Sequence, residues 1–282
     1  NQSTADLRWY LFGSNQFGGG VSNAHNGVMA YEHAYQGVEA RKAYFFMGDA
    51  MVCMGSGIKA ARTQEVRTSV NQCLANGEVT YGLSGHTYRL TNNLSDKNID
   101  WAYHDNVGYI FPQNESVTLR KAKQTGAWRE LEVTASDKPV TKEIFSLWVS
   151  HGTTPQHEDY CYIIMPDKPL SYFTDKKFEN EIKIIVNSEQ IQAISNENKK
   201  QYAAVFYEPG EIRFAEDLVV AVNKKVIIYI EKKDKQYEIA VADPLYKEQS
   251  LQLSMNGEQI NIVFPSGDYS GSSVIKHITE KH

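Results

Sequence analysis

The chain has 282 residues, 41% of them hydrophobic and 22% charged, with 17 tyrosines and a formal net charge of −5. This is a globular composition with enough material for one large or two ordinary domains. It lacks the overall basic field of a nucleic-acid binder, and no apolar run approaches the roughly 20 residues that span a bilayer as a helix.

The first feature in chain order is Trp9-Tyr10-Leu11-Phe12, followed by a polar turn and by Gly18-Gly19-Gly20. Nothing upstream has a signal-peptide pattern, since the chain opens on polar Asn1-Gln2-Ser3-Thr4. Glycines admit conformations and close approaches that other residues refuse. The stretch reads either as a connection between strands with its aromatics in a core, or as a loop presenting an aromatic face to a ligand. The glycines are expected to form a turn leading into the next strand. They lack the Lys and the helix of a phosphate cradle.

From here the signal is β almost throughout, with Val, Ile, Tyr and Phe segments punctuated by Gly, Asn, Asp and Pro. Strands are expected at 27–35 and 38–47 about a Gln36-Gly37 turn, then at 50–54, ending in Gly55-Ser56-Gly57. Residues 67–74 and 78–82 read as a hairpin about Asn76-Gly77, a favoured turn dipeptide. Further strands are expected at 86–90, 101–104, 108–111, 117–120, 128–134, 143–150 and 160–165. In the 143–150 segment Phe145, Leu147 and Val149 alternate with Ser146, Trp148 and Ser150. Trp148 on the second face suggests a sheet covered on both sides. Asp49, beside Gly48, reads as a turn residue. Arg41-Lys42 reads as part of a solvated strand face.

A boundary falls near 166–181, where Asp167-Lys168-Pro169 and Asp175-Lys176-Lys177 interrupt the pattern. Two domains are expected, 1–175 and 176–282. Shorter strands follow at 182–187, 190–194, 202–207, 218–222, 226–231, 237–242, 250–255 and 258–264. Taking Asn256-Gly257 as a two-residue loop sets Leu253 opposite Ile260 and Leu251 opposite Ile262. Helical periodicity is scarce. Its best candidate, Ile194 to Gln201, is short and polar.

Little of the chemistry is legible. Cys53, Cys73 and Cys161 are odd in number and far apart, so neither a disulfide framework nor a CxxC zinc site can be read; small buried thiols are expected. No metal or cofactor site is expected, and no GxSxG, HExxH or P-loop is present. His157 reads as a solvated loop residue and His151 as a structural residue closing a buried strand. Eliminating across a uronic acid takes a carboxylate neutraliser, a base and an acid. No Tyr-His-Arg set with supporting spacing can be nominated here.

An ordered set of segments resembles one family. It comprises Gly13-Ser14-Asn15-Gln16-Phe17-Gly18-Gly19-Gly20-Val21-Ser22, Gly27 to Tyr31, Glu39 to Phe46, Met51 to Ile58, Val70 to Leu74, Leu147 to Gly152 and Ala242-Asp243-Pro244-Leu245. Together they resemble the β-portion of polysaccharide lyases of family 8, the chondroitin AC, hyaluronate and xanthan lyases, over almost the whole chain. The resemblance implies an all-β fold, a large antiparallel β-supersandwich followed by a small C-terminal β-domain. It implies secretion or a periplasmic location in a bacterium, and an acidic polysaccharide as partner. In this family the catalytic His, Tyr, Arg and Asn belong to an N-terminal α/α-toroid, and a catalytic Glu lies upstream of the stretch matched here. No catalytic residue is therefore transferred to this chain. One sugar-contacting residue is: the Trp four places before Gly13, which is Trp9, with Asn15 as its neighbour. The chain is then one wall of a glycan cleft whose chemistry lies on the toroid. A stand-alone carbohydrate-binding module and a purely structural scaffold are the other readings.

Overall fold

The computed structural model describes residues 15–61, 64–113 and 115–280. The chain opens with β1 (Gly18–Ser22), β2 (Gly27–Tyr35), β3 (Val38–Met47), β4 (Ala50–Ala60), β5 (Arg67–Leu74) and β6 (Val79–Leu83). It continues through β7 (His86–Arg89), β8 (Leu94–Lys97), β9 (Trp101–His104), β10 (Val107–Ile110), β11 (Val117–Gly126), β12 (Val140–Ser150) and β13 (Glu158–Pro166). A short helix, α1 (Leu170–Thr174), precedes β14 (Lys183–Asn187), β15 (Ile191–Asn196), β16 (Gln201–Phe206), β17 (Gly210–Ala215) and β18 (Leu218–Val222). Then come β19 (Val226–Lys233), β20 (Gln236–Ala242), β21 (Ser250–Met255), β22 (Glu258–Val263) and β23 (Val274–Thr279).

Among the described residues these strands form four antiparallel sheets stacked as four layers. The outermost is β5-β12-β11-β8. Beneath it lies the nine-stranded sheet β1-β2-β3-β4-β13-β10-β9-β6-β7. The six-stranded sheet β14-β15-β16-β19-β20-β23 and the four-stranded sheet β17-β18-β21-β22 complete the stack. Three apolar interfaces hold it together. Phe145, Leu147 and Val149 pack on Cys53, Tyr109 and Tyr160 between the first two layers. Phe45, Val52 and Met54 meet Val205, Ile227 and Tyr229 between the second and third. Ile228, Ile230 and Phe206 meet Val220, Leu251 and Leu253 between the third and fourth.

The sequence follows from this layering. In β19 alternate side chains enter different interfaces, Val226, Ile228 and Ile230 on one side and Ile227 and Tyr229 on the other. A strand buried on both faces loses its polar alternation and becomes a continuous apolar run. The last hairpin has the expected register, Leu253 opposite Ile260 and Leu251 opposite Ile262. Gln36 and Gly37 form the expected turn, both with positive φ.

Several expectations are corrected. Residues 67–74 and 79–83 do not form a hairpin: β5 pairs with β12 in the outer sheet and β6 with β9 in the nine-stranded sheet. Asn76 is instead the crossing point, its N–H donating to His104 Nε2 and its side chain to Asp105. Gly55-Ser56-Gly57 does not end β4, which runs to Ala60. Registers shift on both sides of this stretch, and Gly57 has φ +60°, so the glycines form a bulge within the strand. Residues 128–134 are a short 3-10 helix followed by turns, with Trp128 exposed. The candidate helix at 194–201 is the β15–β16 hairpin.

The three glycines are strand β1 rather than a turn. A side chain at Gly20 would press on the Val28 carbonyl, and one at Gly19 on Pro244. Their bareness lets β1 slide between β2 and the 243–248 loop. Nor, among the described residues, does a further sheet cover the second face of β12, which lies in the outer layer. The Arg67 guanidinium sits 4.6 Å above the Trp148 ring instead.

Candidate functional site

Two places gather functional side chains. The first is the edge of the nine-stranded sheet at β1. Asp243, almost fully buried, accepts the N–H groups of Leu245, Lys247 and Glu248 at 2.7–2.8 Å and so ties its loop into a knot. The loop's Pro244 carbonyl then accepts the Gly18 N–H at 3.0 Å. Phe17 packs on Tyr207 with ring centres 4.7 Å apart. The glycine stretch and the Ala242-Asp243-Pro244-Leu245 segment, separate in sequence, therefore meet. Asn15 is exposed at this edge, its side-chain N–H donating to the Glu32 carbonyl. Trp9 lies outside the described residues.

The second place is a groove of 520 Å³ between β2–β3 and the β5 side of the outer sheet. His33, Lys42, Arg67, Arg120, Trp148 and His151 line it, and Glu65 is the one carboxylate on its described walls. Glu65 is engaged by Arg67 and by the Ser150 hydroxyl, and the Arg67 hydrogen bond holds its pKa below the usual carboxylate value. Among the described residues no carboxylate pairs with Lys42. Burial lowers the pKa of its ammonium. Burial and then Lys42 lower that of His33. The same two causes bring His151 down to about 4, with Glu65 partly opposing them. Arg41-Lys42 is thus no solvated face: Arg41 reaches Glu32 and Glu208 while Lys42 lines the groove.

His151, His157 and His104 are each held by a neighbouring polar group. His151 Nε2 is 2.8 Å from the Thr68 hydroxyl, as expected of a residue closing a buried strand. His157 is exposed, with Nδ1 2.6 Å from Glu189. His104 and Cys73 resemble a nucleophilic pair at a sulfur–nitrogen distance of 3.9 Å. Geometry disarms them. His104 Nε2 accepts the Asn76 N–H at 3.0 Å, so the neutral ring carries its proton on Nδ1, towards the sulfur, and cannot act as a base there. Burial also raises the Cys73 thiol pKa. Cys53 and Cys161 are fully buried as expected, whereas Cys73 is only half-buried. Among the described residues no three His, Cys, Asp or Glu side chains gather as a metal set. Trp101 is a core residue.

The groove residues come from β2, β3, β4, β5, β11 and β12 and from the flanking loops. No linear motif links them, and only their fold brings them together. Arg120 and Trp148 are two strands' contribution to one face, a signal available only once β11 and β12 are paired.

Comparison with known proteins agrees with this architecture. Residues 1–177 match the family model described as polysaccharide lyase family 8, super-sandwich domain, and residues 183–252 match that family's C-terminal beta-sandwich domain. A chondroitinase-AC of Pedobacter heparinus is 31% identical over 277 residues, covering 94% of this chain and 39% of that protein. A hyaluronate lyase of Thermasporomyces composti is 24% identical, covering 84% of this chain and 30% of that protein. A chondroitinase AC lyase solved in oligosaccharide complexes superposes with a TM-score of 0.87 at 29% identity, over 94% of this chain and 40% of that one. Paenibacillus xanthan lyase shares the fold, with a TM-score of 0.83 at 19% identity over 95% of this chain and 29% of that one. The chain thus spans about two fifths or less of the length of these relatives. Its layered β-architecture and the match over residues 1–177 place it in polysaccharide lyase family 8.

Proposed function

We propose that this chain is the C-terminal, non-catalytic β-portion of a secreted or periplasmic polysaccharide lyase that cleaves chondroitin or hyaluronan by β-elimination. The chain would supply one wall of the substrate cleft. The observation that carries the reading is the family match over residues 1–177 in a chain spanning only about two fifths of its chondroitinase-AC relative. The acid, base and carboxylate neutraliser would lie on an N-terminal toroid of the longer protein. The structural engagement of His104 and His151 supports that division. A boundary between domains 1–175 and 176–282 fits α1 and the change of sheet that follows it.

We assign sugar contact to Trp9 and to Asn15, the latter exposed at the β1 edge. There the Glu32 carbonyl orients the exposed Asn15 amide. In the longer enzyme, Trp9→Ala is expected to raise KM for chondroitin roughly 2- to 10-fold, the worth of one aromatic stacking contact. Asn15→Ala is expected to have a smaller effect in the same direction. Unchanged kinetics in both variants would remove the sugar-contact assignment. The chain alone is expected to generate no unsaturated-uronate absorbance from chondroitin or hyaluronan. Absorbance from the isolated chain would overturn the non-catalytic reading.

A further inference from the structure

Asn-Gly occurs three times in the chain, at Asn26-Gly27, Asn76-Gly77 and Asn256-Gly257. The dipeptide carries latent chemistry. With no Cβ on the glycine, its backbone nitrogen can approach the asparagine side-chain carbon and close a five-membered ring. How readily it does so depends on how firmly the fold holds the amide away from that nitrogen.

The fold restrains two of the three. Asn256 opens the β21–β22 turn with φ +50°, and its amide is tied at both ends. Oδ1 accepts the Val219 N–H at 2.8 Å, and Nδ2 donates to the Asp217 carbonyl at 2.7 Å. Turning this side chain onto Gly257 would break both bonds. Asn26 Oδ1 accepts the Gly48 N–H at 2.8 Å. Gly27 is a strand residue paired on both sides, with Ser22 and with Phe46.

Asn76-Gly77 differs on each count. It lies between β5 and β6, and both residues are exposed. Asn76 is outside the left-handed region, and no atom stands within 4 Å of where a Gly77 Cβ would be. Among the described residues Asn76 Oδ1 accepts no hydrogen bond and the Gly77 N–H donates none. The side chain has one tether, from Nδ2 to Asp105 Oδ1 at 2.8 Å. That tether suits the departing group. Once the carbon is attacked, the amide nitrogen becomes a basic amine, and the Asp105 carboxylate is placed to hold it as it takes up a proton. The flanking backbone is pinned, with the Asn76 N–H on His104 Nε2 at 3.0 Å and Lys121 Nζ 2.7 Å from the Gly77 carbonyl. Neither bond engages the two atoms that would react.

We propose that Asn76 is a self-modification site, at which the folded chain converts its own amide to an acid with water as the only co-reactant. The Gly77 nitrogen loses its proton to solvent and attacks Asn76 Cγ. The N–Cγ bond forms, the Cγ–Nδ2 bond breaks, and the nitrogen leaves as ammonia with a proton from water. Water then opens the cyclic imide at one carbonyl or the other, leaving aspartate or isoaspartate. Nothing is oxidised or reduced. Either product alters the crossing between the outer and nine-stranded sheets. An amide that donated to Asp105 becomes a carboxylate facing a carboxylate, and isoaspartate also lengthens the backbone beside His104.

Peptide mapping of this chain after mildly alkaline incubation tests it, reading the mass gained when an amide becomes an acid. In the folded protein Asn76 is expected to convert at least roughly tenfold faster than Asn26 or Asn256. In urea, where the fold no longer discriminates, the three sites are expected to react at similar rates. A folded-state rate at Asn76 no faster than at Asn256 would overturn the proposal. So would the same ranking in urea, because local sequence and not the fold would then set it. Hydrogen exchange reads the consequence. Amides of Val79–Leu83 are expected to exchange faster in converted protein, while Asn76→Gln, whose side chain would need a larger ring, keeps its original exchange through the same incubation. Equal β6 exchange before and after conversion would remove the assigned effect on the crossing.

Discussion

Two buried titratable residues set opposite pH dependences. Glu115 lies just before β11, and its carboxylate accepts the Cys161 N–H at 2.7 Å, beyond the point where β10 stops pairing with β13. Burial, with Asp159 and Glu158 adding to it, pushes its pKa up to about 7, against the Cys161 hydrogen bond. The folded state therefore holds a proton that the unfolded state releases near pH 4.5. Stability falls as pH rises from about 4.5 to about 7, and the cost is complete above that. His151 behaves oppositely. Its folded pKa of about 4 lies below the ordinary 6.5, so its contribution is full above pH 6.5 and is lost as pH falls towards 4. At about 1.4 kcal/mol per unit, each amounts to roughly 3 kcal/mol, and the two slopes nearly cancel between pH 4.5 and 6.5. Glu115→Gln keeps an acceptor for Cys161 and is expected to gain roughly 2–3 kcal/mol at pH 8. It is also expected to expose the His151 slope, with stability rising from pH 4.5 to 6.5. His151→Gln is expected to expose the reverse slope, whatever its absolute cost. Urea unfolding at several pH values checks both, and parallel pH profiles in the wild type and the two variants would contradict the assignment.

Aromatic rings resting on bare glycines recur among the strands. Tyr160 lies over Gly55, Trp101 over Gly82 and Phe173 over Gly108. In each case a Cβ on the glycine would occupy the ring's own volume. The third links α1 to the nine-stranded sheet, and Phe173 is fully buried among Trp101, Tyr103 and Tyr172. Gly108→Ala is expected to destabilise by about 1–3 kcal/mol through overpacking. Phe173→Leu in the same chain should recover part of that loss if the ring is the obstacle. Chemical denaturation of the single and double variants measures the coupling, and strict additivity would deny it. These glycines also mark where sequence reading loses its grip. A glycine within a strand and one that ends it have the same local signature. Only the partner ring distinguishes Gly55, which lies across the sheet from Tyr160 and far from it in sequence. Asn76-Gly77 has the chemistry of a hairpin turn but joins two sheets, because β5 and β6 find better partners elsewhere. The Asn256-Gly257 hairpin was legible because its flanking strands carry their apolar residues in mutual register.

The layered architecture follows largely from patterns of burial that can be read along the chain, whereas the groove does not. Long apolar strands such as β16 and β19 announce a sheet covered on both faces. Lys42, Arg67, Arg120 and Trp148 announce nothing, since each is an ordinary residue of a separate strand until the layers stack. Stacking also determines how the molecule unfolds. The second and third layers share one core, with Phe45 and Met54 on one side and Val205 and Tyr229 on the other. A partly buried polar chain reinforces it. Asn187 donates to the carbonyls of Gly55 and Tyr160 at 3.1 Å and accepts from Gln192, whose own carbonyl accepts the Tyr207 hydroxyl at 2.8 Å. The Ser56 hydroxyl donates to Ser188 nearby, and Arg41 to Glu189. Neither half can leave without exposing the other's apolar face and stranding these groups, so the two family regions are expected to unfold in one calorimetric transition. Asn187→Ala strands two carbonyls and one amide and is expected to cost about 2–3 kcal/mol. At roughly 2–4 °C per kcal/mol for a chain of this size, the whole transition should move down by about 4–12 °C as a unit. Two separate transitions in the wild type, or a shift confined to part of the endotherm in the variant, would mean that the interface between the second and third layers does not couple the halves.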